Sequence, residues 1–246
     1  MLTPAQISQY QNDGFLVFPQ LLSSTKLKKY IEMVDALVEM GKSLIDPQPH
    51  WSLEFSEDRQ PIPGMLHKVQ GAFLVEPNLL PLAQEEPLLS YATTLLDQQL
   101  DVFGTKFFPK LPHGGTSVGW HQDNYYFGTS QERIVSCAIY LEDTDRKNGC
   151  LRLIPKSHLP QAIRPHQRML NGHGSFTEVD ETLAVDLEIA AGTAVLFSPN
   201  LLHGTHDNRS QRSRYTVVWH YIPADFGIER FPKSGEGDRH VVSRRS

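Results

Sequence analysis

Two side chains with complementary chemistry stand two residues apart near the middle of the chain. His121 and Asp123 occur in a segment, residues 119–123, whose pattern indicates a β-strand. Side chains at positions i and i+2 of a strand point to the same face, so this imidazole and this carboxylate can converge on one point. They would supply two ligands of a 2-His-1-carboxylate face, which holds non-haem Fe(II) and leaves coordination positions open. A bare H-x-D pattern arises easily in a chain with 11 histidines, so the prediction needs a second histidine.

His203 is the candidate for that second histidine, and an arginine follows it. The 80-residue gap from Asp123 (203 − 123) suits several strands that return a ligand to the opposite side of a small barrel. Arg214 begins an apolar strand, and a guanidinium at a barrel mouth offers a bidentate fork for a carboxylate. Iron enzymes that use 2-oxoglutarate need such a fork for the free carboxylate of that co-substrate. The sequence leaves alternatives open: His206 could be the ligand instead of His203, and Arg212 could replace Arg214. His203 could also be an ordinary loop residue, and Arg214 could pair with a surface carboxylate.

The framework that must position these residues is predicted from hydrophobic patterning. The first hundred residues predict a helix from Pro4 to Asp13-Gly14, a strand at 15–18, a helix after Ser23-Ser24, an irregular loop at 45–65, a strand at 67–73 and a helix from Pro87. The later residues predict short strands at 102–110, 119–127, 134–142, 151–155, 183–187, 193–198 and 214–222. Helices followed by a regular series of strands favour a mainly β sandwich or barrel with a helical outer layer. We expect one domain over residues 1–246: a mostly helical layer at 1–100, a β core at 101–222 and a polar, flexible tail at 223–246.

Composition excludes several classes of partner. The net charge is −5 and the pI is near 6.1, so there is no basic footprint for nucleic acid or for an anionic membrane. Cys137 and Cys150 are too few for a disulfide framework, which favours a reducing, cytoplasmic location. The N-terminus lacks the pattern of a secretory signal, and no apolar run reaches membrane-spanning length. We expect a small-molecule substrate, no nucleic-acid or membrane partner, and a monomer or homodimer.

Four segments, in order along the chain, resemble those of one enzyme family. They are the opening at residues 2–17, Trp-His-Gln-Asp at 120–123, Asn-Gly-Cys-Leu through Pro-Lys-Ser-His at 148–158, and the H…N-x-S…R pattern at 203–214. Lys156 stands where the third segment usually has glycine. Over nearly its whole length the chain resembles the phytanoyl-CoA dioxygenase (PhyH) family of Fe(II)/2-oxoglutarate-dependent oxygenases. The resemblance implies that family's double-stranded β-helix, a jelly-roll or cupin-like barrel, with N-terminal and flanking helices and its jelly-roll core at 101–222.

The resemblance also implies roles for individual residues. His121, Asp123 and His203 match the iron ligands, and Arg214 matches the clamp for the C5 carboxylate of 2-oxoglutarate. Lys68 matches a further position that contacts the co-substrate. Lys106 falls near another such position, where the family residue is often apolar, and Ala138 stands where some relatives have an aromatic wall. The implied requirements are Fe(II), 2-oxoglutarate and O₂.

The expected activity is oxidation of an unactivated C–H bond, most simply hydroxylation, in a small metabolite or natural-product intermediate. 2-Oxoglutarate would be converted to succinate and CO₂. Asp123 argues against halogenation, because related halogenases have a small residue at that position and so leave room for chloride. The alternatives are a cupin-like metal enzyme that does not use 2-oxoglutarate and a non-catalytic jelly-roll binding protein. Specificity is expected to reside in residues 45–65, residues 160–180 and the C-terminal tail.

Overall fold

Two antiparallel sheets carry the fold in this computed structural model, which describes residues 1–96, 99–129, 133–159, 163–169 and 173–243. The helices are α1 (Pro4–Asp13), α2 (Ser24–Lys42), α3 (Ala72–Val75), α4 (Leu88–Leu96) and α5 (Asn124–Phe127), with 3₁₀ segments at Pro77–Gln84 and Glu181–Leu183. The strands are β1 (Phe15–Phe18), β2 (Trp51–Phe55), β3 (Pro61–Gln70), β4 (Leu100–Phe108), β5 (Val118–His121), β6 (Val135–Tyr140), β7 (Leu151–Leu153), β8 (Gln167–Arg168), β9 (Ser175–Phe176), β10 (Val185–Leu187), β11 (Ala194–Phe197), β12 (His203–Thr205), β13 (Thr216–Pro223) and β14 (Arg239–Val241).

The larger sheet has the strand order β1-β11-β6-β13-β4-β3-β2, and β14 pairs with β4. The smaller sheet has the order β10-β7-β12-β5, while β8 and β9 form a separate ribbon. One apolar cluster joins the two sheets, since it contains residues of β6 and β11 from the larger sheet and of β7 from the smaller. This is a jelly-roll arrangement, and it confirms the expected mainly β fold with N-terminal and flanking helices.

Alternation along β13 shows how the larger sheet separates a structural face from a functional one. Val217, Trp219 and Tyr221 point into the main apolar core, which the N-terminal helices cover. Thr216 and Val218 point the other way and line an internal cavity. Successive strand residues point to opposite faces, so one strand can anchor the helices and also present polar side chains to the barrel interior.

Local sequence signals account for the first helix. The Thr3 hydroxyl accepts a hydrogen bond from the Gln6 N–H, the Gln6 side chain accepts one from the Thr3 N–H, and Pro4 opens the helix. The helix ends at Gly14, whose φ of 86° lies in the left-handed region that favours glycine. Both ends agree with the sequence prediction.

The segment 45–65 is not the irregular loop that its prolines suggested. It contains β2 and the first half of β3, which pair as an antiparallel hairpin. Pro61 and Pro63 fit because β3 pairs with β4 only at Val69 and Gln70, so the early part of β3 needs no second ladder of hydrogen bonds. The strand expected at 67–73 ends at Gln70 for a different reason. Gly71 turns the chain with a φ of 69°, and α3 follows.

The tail is also more ordered than its composition suggested. Arg239 lies in β14, is buried, and donates from Nε to Asp101 Oδ2 at 2.8 Å. Asp238 accepts hydrogen bonds from the Thr105 N–H at 2.7 Å and from its hydroxyl at 2.6 Å. Polar residues in this tail are therefore partners for buried polar groups of β4, which a count of polar residues cannot reveal.

Three further expectations concern the specificity segment, the cysteines and membrane-spanning helices. Within the predicted specificity segment 160–180, residues 160–162 and 170–172 lie outside the described residues. Cys137 and Cys150 are both buried and unpaired. None of the helices in the described ranges has the length and apolar character needed to cross a membrane.

Candidate active site

The two predicted histidine ligands face each other across neighbouring strands. His203 of β12 is the direct cross-strand partner of His121 of β5, and their ring centroids are 4.2 Å apart. Nδ1 of His121 lies 2.8 Å from the Gly119 carbonyl oxygen, and Nδ1 of His203 lies 2.9 Å from that of Leu201. A carbonyl only accepts, so each Nδ1 carries the proton and each Nε2 keeps a free lone pair. Both rings are thus set in the tautomer that a metal ligand needs.

The backbone brings Asp123 close to the two histidines in a way that the sequence did not predict. The strand ends at His121, and Asp123 has helical dihedrals (φ −56°, ψ −36°) at the start of α5. A turn therefore brings the carboxylate back, rather than the i, i+2 alternation of a strand. Asp123 Oδ1 lies 3.7 Å from His121 Nε2, and Oδ2 lies 3.8 Å from His203 Nε2.

The ionisation of this cluster suits a divalent metal. Burial alone would raise the pKa of Asp123, but the nearby imidazoles of His203 and His220 hold that pKa well below its usual value. Burial lowers the pKa of His203 to about 4. The donor set is a carboxylate with two imidazoles, whose ligand atoms all lie within 4.8 Å of one another. Two imidazole nitrogens and one carboxylate oxygen fit Fe(II) with open coordination positions.

A chain of buried hydrogen bonds extends from Asp123 to Lys106. Asp123 Oδ2 lies 2.8 Å from Ser136 Oγ, Ser136 Oγ lies 2.9 Å from His220 Nδ1, and His220 Nε2 lies 3.1 Å from Lys106 Nζ. An ammonium only donates, so His220 accepts at Nε2 and donates from Nδ1 to Ser136, whose hydroxyl donates to Asp123. Gly104 leaves space for this ring, because a Cβ there would lie 3.0 Å from it. Ser136 and His220 were not predicted from the sequence, although strand alternation places His220 on the same face as Arg214.

Arg214 is a buried cation, and it forms no ion pair with any residue that the structure describes. Its side chain donates from Nη1 to the Thr216 hydroxyl, while its buried Nε has no hydrogen-bond partner among the described residues. In the described parts of the chain no carboxylate oxygen lies within 4 Å of the guanidinium, and burial lowers its pKa. A buried charge is costly unless it is paired, so this side chain is suited to an external anion.

One internal cavity of about 440 Å³ joins these groups. Its lining includes six chemically important side chains: Lys68, Lys106, His121, Asp123, His203 and Arg214. Burial, together with the charge of Lys106, lowers the pKa of Lys68 to about 8. Ala138 also lines the cavity, so this part of the wall is a methyl group.

The alternative site residues have other partners. His206 Nε2 lies 3.0 Å from Asp186 Oδ1, on a separate cluster with Cys150. Arg212 is half exposed and donates to Asp145 at 2.6 Å. Neither residue lines the cavity, so the structure brings together His203 and Arg214 rather than these alternatives.

A second histidine cluster forms another part of the cavity wall, and the sequence did not indicate it. His67 Nδ1 lies 3.0 Å from Glu54 Oε1, and the His67 and His173 rings stack at 3.6 Å with an interplanar angle of 11°. No local sequence pattern connects these two rings, because the contact between β3 and residue 173 is tertiary. Thr116 donates to both oxygens of Glu54, at 3.0 Å and 2.6 Å, so that carboxylate is already occupied by protein donors.

Comparison with known proteins decides the family. The model of the phytanoyl-CoA dioxygenase (PhyH) family matches residues 10–216. The chain belongs to the phytanoyl-CoA dioxygenase family. It is therefore an Fe(II)- and 2-oxoglutarate-dependent dioxygenase, as the sequence predicted, rather than a metal enzyme independent of 2-oxoglutarate or a binding protein.

Relatives of the chain carry different enzyme names. The chain is 27% identical to phytanoyl-CoA dioxygenase domain-containing protein 1 of Bos taurus, with 91% of each chain covered. It is 26% identical to the ectoine dioxygenase of Bordetella bronchiseptica, over 100% of this chain and 83% of that protein. Among solved structures, the non-heme alpha ketoglutarate dependent carbocyclase SnoK from nogalamycin biosynthesis superposes with a TM-score of 0.72 at 19% identity, covering 96% of this chain and 89% of that one. This last similarity supports the shared fold.

Proposed function

We propose that His121, Asp123 and His203 hold Fe(II), that Arg214 binds the C5 carboxylate of 2-oxoglutarate, and that the protein oxidises a C–H bond of a small metabolite or natural-product intermediate. The observation that carries the proposal is that one cavity contains both the triad and a buried guanidinium that forms no ion pair with the part of the chain that the structure describes. A metal enzyme that did not use 2-oxoglutarate would have no need for that cation.

When iron, 2-oxoglutarate and O₂ are bound, the metal centre supplies oxidative decarboxylation of the co-substrate to succinate and CO₂, together with oxidation of the substrate. The protein supplies position and shielding. The Gly119 and Leu201 carbonyls fix the tautomers of His121 and His203, and Ser136 fixes the carboxylate of Asp123. Arg214 offers a fork of N–H donors at a water-poor position, where a charge-assisted pair is stronger than in water.

Lys68 is the second proposed contact for the co-substrate. It lines the same cavity, and no carboxylate lies within 4 Å of its ammonium among the residues that the structure describes. A dianionic ligand that enters the cavity would therefore meet two cations, Lys68 and Arg214, that form no ion pair with the described residues.

Hydroxylation is the simplest outcome at this site. Asp123 supplies a carboxylate at the position that a halogenase leaves open, which argues against halogenation. Desaturation, epoxidation and ring formation use the same metal centre and depend on how the substrate is held, and the carbocyclase in nogalamycin biosynthesis has the same fold. We further propose a cytoplasmic monomer or homodimer, in keeping with two buried cysteines that form no disulfide.

The test is conversion of 2-oxoglutarate to succinate by the purified protein, measured with and without Fe(II) and O₂. We expect turnover that requires both, and that is abolished by His203→Gln. His206→Gln is the matched control, because His206 is paired with Asp186 outside the cavity, and it should turn over like the parent. Loss of turnover in His206→Gln with retention in His203→Gln would overturn the ligand assignment.

A further inference from the structure

The lining of the cavity carries more positive charge than the co-substrate can neutralise. Its cations are Lys68, Lys106 and Arg214, and its one acidic residue among the described lining is Asp123. Fe(II) adds two positive charges, and 2-oxoglutarate brings two negative ones. A surplus of two positive charges therefore remains in a site largely removed from water, where unpaired charge is costly.

Lys106 is placed away from the arginine that would hold the far end of 2-oxoglutarate. Its cross-strand partner in β13 is Val218. Val218 lies four residues after Arg214 in the sequence. At roughly 3.3 Å per residue, this separates the two positions by about 13 Å along the sheet. The ammonium of Lys106 contacts His220, which contacts Ser136, which contacts Asp123. Lys106 therefore belongs to the triad end of the cavity.

The hydrogen-bond chain also fixes the ammonium in place. Donation to His220 Nε2 at 3.1 Å uses one of its three N–H bonds and leaves two for a ligand. No carboxylate of the described chain lies within 4 Å of Lys106 Nζ. The nearby Asp123 and Asp238 are occupied by other donors, Ser136 for the first and Thr105 for the second.

Aromatic rings restrict water at this end of the cavity. Phe127 packs edge-on against His220, with centroids 4.7 Å apart, and Phe231 packs against Phe127 at 5.5 Å. Both rings line the cavity. An anion paired with Lys106 beside these rings would interact in a low local dielectric, where the attraction is stronger than in bulk water.

We propose that the substrate carries a carboxylate that pairs with Lys106 beside the triad, while Arg214 holds the co-substrate. A single ammonium suits a monoanionic carboxylate, whereas a phosphate dianion is usually held by several N–H donors or an arginine fork. The salt bridge would hold the substrate close to the metal-binding end and so determine which of its C–H bonds is oxidised. This inference rests on the proposed Fe(II)/2-oxoglutarate chemistry and adds the charge class of the substrate.

The experiment uses the anaerobic complex of the full-length protein with Fe(II) and 2-oxoglutarate. Two neutral–anionic pairs, hexanoate with hexanamide and 3-phenylpropanoate with 3-phenylpropanamide, are titrated while the visible band of the complex reports binding near the iron. In the parent we expect at least one carboxylate to bind ten-fold or more tightly than its amide. Lys106→Met should abolish this discrimination and change the dissociation constant of 2-oxoglutarate less than three-fold, while Lys106→Arg should keep the discrimination. Lys147→Met, an exposed lysine outside the cavity, is the control.

Each other outcome decides against the proposal. Equal or absent binding of both members of each pair would overturn it, as would unchanged discrimination in Lys106→Met. A large loss of 2-oxoglutarate affinity in Lys106→Met would assign that lysine to the co-substrate instead. Tighter binding of hexyl phosphate than of hexanoate would indicate that the substrate carries a phosphate, and would overturn the assignment of a carboxylate. Failure of the visible band to form in the parent would count against the proposed function itself, which separates the two failures.

Discussion

Ser136 Oγ lies 2.8 Å from Oδ2 of Asp123, and both side chains are buried. Ser136 belongs to β6 of the larger sheet, whereas Asp123 follows β5 of the smaller one. This hydrogen bond therefore links the two sheets at the proposed metal centre. It holds the Asp123 carboxylate in one orientation. The contact of the Ser136 hydroxyl with His220 keeps that hydroxyl directed at Asp123.

Removal of that donor should weaken metal binding. For Ser136→Ala we expect the Fe(II) dissociation constant to rise about 10- to 100-fold, the usual effect of losing a hydrogen bond to a metal ligand. Anaerobic equilibrium titration with Fe(II) measures it. Ser234→Ala, at an exposed tail position, should bind iron like the parent. Parent-like affinity in Ser136→Ala would show that the hydrogen bond does not position Asp123.

Arg214 and Arg212 form a matched pair of variants on one segment. Arg214→Ala should weaken 2-oxoglutarate binding by about 2–5 kcal/mol, because a buried charge-assisted pair is lost. Arg214→Lys should recover only part of this, since an ammonium lacks the bidentate fork. Arg212→Ala removes only an exposed ion pair with Asp145 and should leave the affinity unchanged. Calorimetric titration of 2-oxoglutarate into each metal-loaded protein checks this, and a reversed order of the two alanine variants would contradict it.

Lys68 gives the affinity for 2-oxoglutarate a pH dependence. Burial and the charge of Lys106 lower the pKa of Lys68 to about 8, so its ammonium is present below that pH and is lost above it. If the charged form pairs with the dianion, the dissociation constant should rise up to about ten-fold per pH unit above pH 8, by proton linkage. Lys68→Met should bind more weakly at pH 7 and lack this rise. A rise of the same size in Lys68→Met would assign the titration to another group.

Periodicity and capping predicted the elements whose signals are local. The cap at Thr3-Pro4 predicted the start of the first helix, and patterning predicted the strand that follows Arg214. The short strand β12 that carries His203 was not predicted. The resemblance in four segments placed both histidines, the carboxylate and the arginine, and the structure brings all four to one cavity. Lys156, which replaces the usual glycine, keeps a left-handed φ of 67°, so the backbone retains that turn despite the side chain.

The features that could not be predicted from the sequence depend on contacts between distant segments. Asp123 reaches the triad through a turn after β5, and Ser136 and His220 become significant only when two sheets face each other. The tail looked flexible because Arg239 and Asp238 are charged. Their partners, Asp101 and Thr105, lie more than 130 residues earlier, and no local pattern connects them.

The tail should contribute to the stability of the whole domain. Arg239 is buried and bonded to Asp101 and to backbone carbonyls of Pro223 and Phe226. Arg239→Ala leaves Asp101 as an unpaired buried charge, which should lower the free energy of unfolding by about 3–5 kcal/mol. Urea denaturation measures it, with the exposed Arg230→Ala as the control. Equal stability of the two variants would mean that β14 is not part of the cooperative fold.

The central claim is that one metal, held by His121, Asp123 and His203, chelates 2-oxoglutarate. Its most direct test is an absorption titration without oxygen, in which 2-oxoglutarate is added to the Fe(II)-loaded protein. We predict a weak, broad visible charge-transfer band that saturates at one iron and one 2-oxoglutarate per chain and is absent in His121→Gln. A parent protein that binds iron without developing the band, or a His121→Gln variant that develops it unchanged, would contradict the account.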